Sequence, residues 1–348
     1  MSLDFLRNNG ASRVTGEITQ FDLLTDTVSQ DPTPEETIGW SIEQAADQWQ
    51  TIDVSSANWG SGWAYRPERF VDGKDVGHTV AWLRSPEGYP VPVRLAQIGA
   101  VAMHEVRGQL RREFELIERV ITLSDLFPFD EVENFARALQ VNRFRLLLCG
   151  RPEGGWSYLY EPMRKATQNR SNDEMIDLEK LTYSQGRAAP TILDGRLIPR
   201  ASIPTDNTSP VIGVIKTHSQ NYLHERGWQV YYDLEPCQRT PVFRLDNPKK
   251  GLNIVSWFLR LAGSGGAMPN WGVVRLEMPE AFFLQAVGGS FDYINRVSRL
   301  IYEYRCRDDR YTRAPVSLYP IQRAEESLGA LFTESETLIS HFYRLASL

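Results

Sequence analysis

The chain has 348 residues and a net charge of −6, so it is long enough to bury a large core without covalent staples. Its acidity excludes a general positive coat for nucleic acid, although not a local basic track. The opening MSLDFLRNNG lacks the pattern of a signal peptide, and no apolar run is long enough to cross a bilayer. A soluble, cytoplasmic protein with no membrane contact is therefore expected.

In chain order, residues 1–60 read as an irregular, partly helical arm. DPTPEET (31–37) opens with turn residues, and SIEQAADQW (41–49) is compatible with a helix. Tryptophans at 40, 49, 59 and 63 suggest that the arm packs on something. The block 69–103 reads as three β segments in an antiparallel meander, with turns at Asp72-Gly73 and at 86–88. From about 105 to 170 the pattern changes. EVRGQLRREFELIERVITL and DEVENFARALQ both place apolar residues at helical spacing, which predicts an inserted helical region. A helix over 171–184 follows, then the strands PTILDGRLI and PVIGVIKTH. WQVYYDL, TPVFRLD, VSWFLRLA and WGVVRLEMP read as further strands. The glycine-rich LAGSGGAMPNWG reads as a hairpin loop between the last two. Two helices, 282–305 and 321–345, close the chain. The order describes a mixed α/β protein whose sheet is led by an antiparallel portion.

Several chemistries are absent. There is no Walker loop and no nucleophile elbow. The histidines at 78, 104, 218, 224 and 341 have no ligand spacing, and Cys149, Cys237 and Cys306 stand far apart, so a zinc site is not expected. Arginines cluster at 107, 111 and 112, and again at 296, 299, 305, 307, 310 and 313. Such clusters are more often solvated faces than nucleic-acid contacts.

Two segments share a signature: FVDGK, with Asp72, and ILDGR, with Asp194. In each, an apolar β run stops at an aspartate, and a glycine then lets the backbone turn sharply. A carboxylate held by a sheet suits Mg²⁺ or Mn²⁺, which prefer oxygen donors in fixed geometry. Asp-Gly is also among the commonest turn pairs, so neither copy settles the matter alone. The helix before the second signature offers Glu174, Asp177 and Glu179, and the last helix offers Glu325 and Glu326. Lys216, at the end of VIGVIK, is placed to act as a point charge for a phosphate or to snorkel at the surface. Carboxylates converging from separate elements can hold two metal ions for phosphodiester hydrolysis.

From about residue 66 onward the chain resembles the NurA nucleases. FVDGK, TILDGRLI, VIGVIKTH, SWFLRLAG, WGVVRLEMP and YPIQRAEESL occur in the order of that family's motifs. The resemblance implies an RNase H-like mixed sheet flanked by helices over 61–348, with 1–60 as an arm that helps a homodimer form. It implies a Mn²⁺- or Mg²⁺-dependent deoxyribonuclease, an exo- or endonuclease on single strands and duplex ends, working with a HerA-type hexameric ATPase in DNA end resection or phage defence. Asp72, Glu179, Asp194 and Glu325 become the implied metal ligands, with Asp177 and Glu174 as alternatives to Glu179. Lys216 becomes the implied phosphate contact. Many members carry a histidine where this chain has Glu325. That departure, with the acidic balance, keeps open a second reading: a catalytically degenerate subunit that guides DNA or docks a HerA-type ATPase.

Overall fold

The computed structural model describes residues 3–14, 40–60, 62–152, 154–185, 188–197, 210–217, 221–246, 252–263, 268–308 and 313–348. Helix α1 (Asp4–Asn8) and the two-residue strand β1 (Ser12–Arg13) begin the chain, followed by β2 (Trp40–Ser41) and β3 (Ile52–Asp53). Three long strands come next: β4 (Arg69–Arg84), β5 (Pro90–Val106) and β6 (Gln109–Ser124). Helix α2 (Phe129–Val141) and strand β7 (Arg145–Cys149) lead to the long helix α3 (Tyr160–Gln185). Strands β8 (Thr191–Asp194) and β9 (Val211–Ile215) precede helix α4 (Glu225–Tyr232). Then come β10 (Gln238–Arg239), β11 (Phe243–Leu245), β12 (Ile254–Arg260) and β13 (Val273–Pro279). Helices α5 (Glu280–Gln285), α6 (Phe291–Glu303), α7 (Tyr319–Leu331) and α8 (Ser335–Ala346) close the chain.

The described strands join in one mixed sheet with the order β2-β11-β12-β13-β9-β8-β4-β5-β6-β7, with β1, β3 and β10 attached off that path. Its centre is the expected RNase H-like arrangement. The meander β4-β5-β6 is antiparallel, and after helix α3 the strands β8 and β9 add parallel beside β4. Helices cover the sheet. Leu318, Ile321, Ala324 and Leu328 bury one stripe of α7 and its approach in the main core, whereas α3 packs Met175, Ile176 and Leu178 on the opposite face against Ala96, Ile98 and Ala100. Among the described residues, no helix is long and apolar enough to cross a membrane.

Several expectations change. First, residues 105–124 are not the start of a helical insertion but the third strand of the meander. Leu110, Phe114, Leu116 and Val120 lie at even positions, a period of two that coexists with apolar spacing of four. The hairpin decides between them: Arg107 and Gly108 have φ of 53° and 76°, and Val106 pairs with Gln109. Two consecutive positive φ values make the turn whose twist matches its flanking strands. Only α2, β7 and the first part of α3 remain of the predicted insertion. Second, Asp72-Gly73 is no turn, because both residues continue β4 and pair with Val101 and Ala100. Third, WQVYYDL belongs to helix α4, whose Gly227, Val230 and Tyr231 are buried at i, i+3 and i+4 and whose end is capped by the His224 ring accepting from the Gly227 amide at 3.1 Å. Fourth, both closing helices are split: 282–305 into α5 and α6 at Gly288 and Gly289, which have φ of 63° and 72°, and 321–345 into α7 and α8 where Phe332 turns extended.

The arm is built into its own chain's sheet where it is described. β2 pairs with β11 and β3 with β10. Only a short 3₁₀ turn, Ala46–Gln48, forms within the predicted 41–49 helix. Trp49 is fully buried beside His224 and Phe243, and Trp63 packs on Tyr293, while Trp40 is exposed. Residues 31–37 lie outside the described residues.

Candidate metal centre

Side chains alternate between the faces of a strand. Phe70 on β4, Ile192 on β8 and Val214 on β9 all point into the core beneath α7. Asp72, Asp194 and Lys216 each lie two residues further on, so the same parity aims them at the same face. Helix α7 supplies Glu325, next to its buried Ala324. The result is a cluster in which one carboxylate oxygen each from Asp72, Asp194 and Glu325 lies within 4.8 Å of the others. Asp194 does end its strand, as expected. Asp72 sits inside β4, just beyond the last residue that β8 pairs, and it is only 3% exposed.

Two cations stand against this cluster. The Lys216 ammonium lies 2.7 Å from Asp194 Oδ2, and the guanidinium of Arg313 lies 3.4 Å from Glu325 Oε1. Burial alone would lower the Lys216 pKa, but the pull of Asp194, Asp72 and Glu325 outweighs it and holds the ammonium above its ordinary range. Burial, and then repulsion from Asp194, push the Asp72 carboxyl well above the usual carboxylate range. Lys216 opposes this shift, while Glu325 and Glu179 add to it. Asp72 Oδ1 accepts from the Gly73 amide at 3.0 Å, whereas Oδ2 is buried with no hydrogen-bond partner among the described residues. A buried oxygen left in that state is destabilising unless something positive meets it. An oxygen-rich donor set that includes a residue carrying such an atom fits a hard divalent cation.

Glu179 reaches the region from the opposite side of the sheet. It is buried on α3, and a Cβ added to Gly73 would lie 2.7 Å from its Oε1. Glycine is therefore required at 73 for close approach rather than for a turn. Glu179 borders Asp72 across the β4 backbone but is not one of the three carboxylates that meet. The end of its helix is held by Arg69, which donates to the carbonyls of Thr182 and Tyr183 at 2.8 and 2.9 Å and pairs with Glu113 at 2.7 Å. The alternatives on α3 are engaged elsewhere: Asp177 with Lys180, and Glu174 with Arg145 and Arg170. Glu326 pairs with Arg323.

Arg313 is the one member of the arginine clusters found at this centre among the described residues. Arg296, Arg299 and Arg307 pair with acidic groups on α6, and Arg305 lies over the Tyr302 ring. Arg310 and His218 lie outside the described residues. Sequence reasoning missed the crossing of Arg94 over Gly77 to meet Asp75 at 3.3 Å, and the Ser171 hydroxyl that donates to Asp75 at 2.5 Å. The repeat of glycine at 73 and 77 was the available signal, since both face α3.

Replacing Lys216 with methionine should lower the melting temperature in chelator, because breaking a buried pair typically costs about 3–5 kcal/mol. Mn²⁺ should restore more stability to this variant than to the unsubstituted protein, since an added cation then replaces the missing ammonium. Thermal unfolding with and without Mn²⁺ checks this, and an unchanged melting temperature in chelator would refute it.

No protein-family model matches the chain, and no curated protein matches it in sequence. Among solved structures, the crystal structure of the NurA nuclease from Sulfolobus solfataricus aligns over 93% of this chain and 89% of its own, at 10% identity and a TM-score of 0.42.

Proposed function

We propose that the chain is a divalent-metal-dependent DNA nuclease, in which Asp72, Asp194 and Glu325 hold Mn²⁺ or Mg²⁺. The observation that carries this reading is the meeting of three carboxylates, one oxygen of each within 4.8 Å of the others, at a buried Asp72 whose Oδ2 has no hydrogen-bond partner among the described residues. A divalent ion bound there supplies Lewis-acid polarisation and a more acidic water, the chemistry that phosphodiester hydrolysis needs. The residues supply the rest. Asp72 and Asp194 are anchored by β4 and β8, so their orientation is set before any substrate arrives. Lys216 neutralises the cluster in the absence of an ion and is positioned to hold a phosphate oxygen as a point charge. Arg313, largely exposed, stands at the rim as a second phosphate contact. Glu179 stiffens the Asp72 segment from behind and adds negative potential. The motif resemblance alone extends the reading to a HerA-type ATPase partner, a homodimer and a role in DNA end processing or phage defence.

The second reading, a catalytically degenerate DNA-guiding or docking subunit, is favoured by the same two cations: Lys216 and Arg313 already stand on two of the three carboxylates. Incubating labelled linear DNA with Mn²⁺ separates the two. The protein should cut, while chelator and an Asp194→Ala variant should each abolish cutting. Cutting by both proteins alike would indicate a contaminant, and cutting by neither would favour the guiding subunit.

A further inference from the structure

Strand β8 stops at Asp194, and β4 pairs with it only as far as Leu193. The direction of the Asp194 carboxylate therefore depends also on how the chain continues. Two hydrogen bonds tie it down just beyond. The Gly195 amide, in a turn with φ of 116°, donates to the Val214 carbonyl at 2.8 Å, and the Leu197 amide donates to the carboxylate of Glu277 on β13. Glu277 is fully buried and stands in register with Gly213 on β9. Their neighbours Leu276 and Val214 point into the core beneath α7, so Glu277 and Gly213 lie on the opposite face, away from the acidic cluster. The joint has no slack: a Cβ on Gly213 would lie 2.7 Å from the Gly195 carbonyl oxygen and 3.0 Å from Glu277 Cγ. A buried carboxylate is destabilising unless it is paired and hydrogen-bonded. Arg275, two residues back on the same face, supplies the counter-charge at 3.4 Å and is itself held over the Tyr222 ring at 4.4 Å.

We propose that Glu277 is a positioning residue for the metal centre: from the far face of the sheet its carboxylate pins the turn after Asp194, and so holds the Asp194 carboxylate towards Asp72 and Glu325. This rests on the metal-binding reading above. Glu277 works through the backbone of residues 194–197 and does not itself meet the acidic cluster. Asp194 sits three residues from the pinned amide, so losing that bond frees the end of β8 to swing, and one of the three ligands loses its set direction. Arg275 has a different task, the balancing of charge. The geometric and electrostatic parts are therefore separable by substitution.

The test is Mn²⁺ affinity, read by electron paramagnetic resonance of the unbound ion, beside thermal unfolding in chelator. Glu277→Ala should weaken Mn²⁺ binding about 10–100-fold, the range for groups that orient metal ligands. Glu277→Gln keeps an oxygen for the Leu197 amide while leaving Arg275 without its counter-charge. It should melt at a lower temperature than the parent yet bind Mn²⁺ almost as tightly. Gly213→Ala displaces the Gly195 carbonyl without altering any charge and should also weaken binding, so it carries the test if Glu277→Ala does not fold. A purely structural role would make affinity follow melting temperature across the three variants. That result, or unweakened binding in Glu277→Ala and Gly213→Ala, overturns the inference. A parent that binds Mn²⁺ but leaves labelled DNA uncut overturns the nuclease reading alone, and the positioning role survives. A parent that takes up no Mn²⁺ overturns both.

Discussion

Substituting Asp72 by asparagine should reduce Mn²⁺-dependent DNA cutting by more than about a hundredfold, since groups one shell further out already account for about 10–100-fold at metal sites. The same variant should be more stable than the original protein in chelator at neutral pH. Burial and Asp194 raise the Asp72 pKa above its unfolded value. The folded state then binds the proton more tightly, so stability falls as pH climbs from the ordinary carboxylate range towards the raised pKa. Asparagine has no charge to bury and escapes that loss. The advantage of the variant should shrink on acidification towards about pH 4. Divalent ions should reverse the ranking. A ligand at a hundred times its dissociation constant stabilises by about 2.7 kcal/mol, and only the original protein has the full donor set to take it. Thermal unfolding across pH, with and without Mn²⁺, reads all three effects. An asparagine variant that cuts normally would remove Asp72 from the site, and one that is less stable in chelator would contradict its electrostatics.

The second large effect lies far from the chemistry. Arg239 is fully buried, and its guanidinium is met by both oxygens of Glu43 at 2.6 and 2.7 Å, with Asn295 accepting at 2.8 Å. Glu43 also accepts from the Val242 amide at 2.8 Å. Replacing Glu43 by alanine should destabilise the fold by about 3–5 kcal/mol, because it leaves a buried cation without its counter-charge. Replacing both partners by apolar residues of similar size should recover much of that loss. Denaturant unfolding of the single and double variants measures it, and a single variant within 1 kcal/mol of the parent, the ceiling typical of exposed pairs, would show that the arm is only loosely attached. Glu43 thus ties residues 40–54 to the sheet edge formed by β10 and β11.

Much of the sheet was legible because its strands are rich in β-branched residues and run in the order that the resemblance implied. The third meander strand was not. Its apolar positions at 110, 114, 117 and 121 satisfy a helical period, and only the Arg107-Gly108 turn, which lacks the usual Asn-Gly form, betrays the hairpin. Helix α4 was hidden for the opposite reason: Trp228, Val230, Tyr231 and Tyr232 are strand-favouring types placed on a helix by their packing. At the candidate centre, Asp72, Asp194, Glu325 and Lys216 could be picked out one by one, but their meeting depends on pairing between segments more than a hundred residues apart.

The shared parity of Asp72, Asp194 and Lys216 makes alignment of strands a condition for chemistry. Sliding β4 by a single residue against its neighbours would rotate Asp72 onto the α3 side and carry Gly73 to the acidic side, while Phe70 left the core. A misaligned molecule would be both less stable and inert, so the packing that rejects the wrong pairing also guards against a partly assembled cutting site.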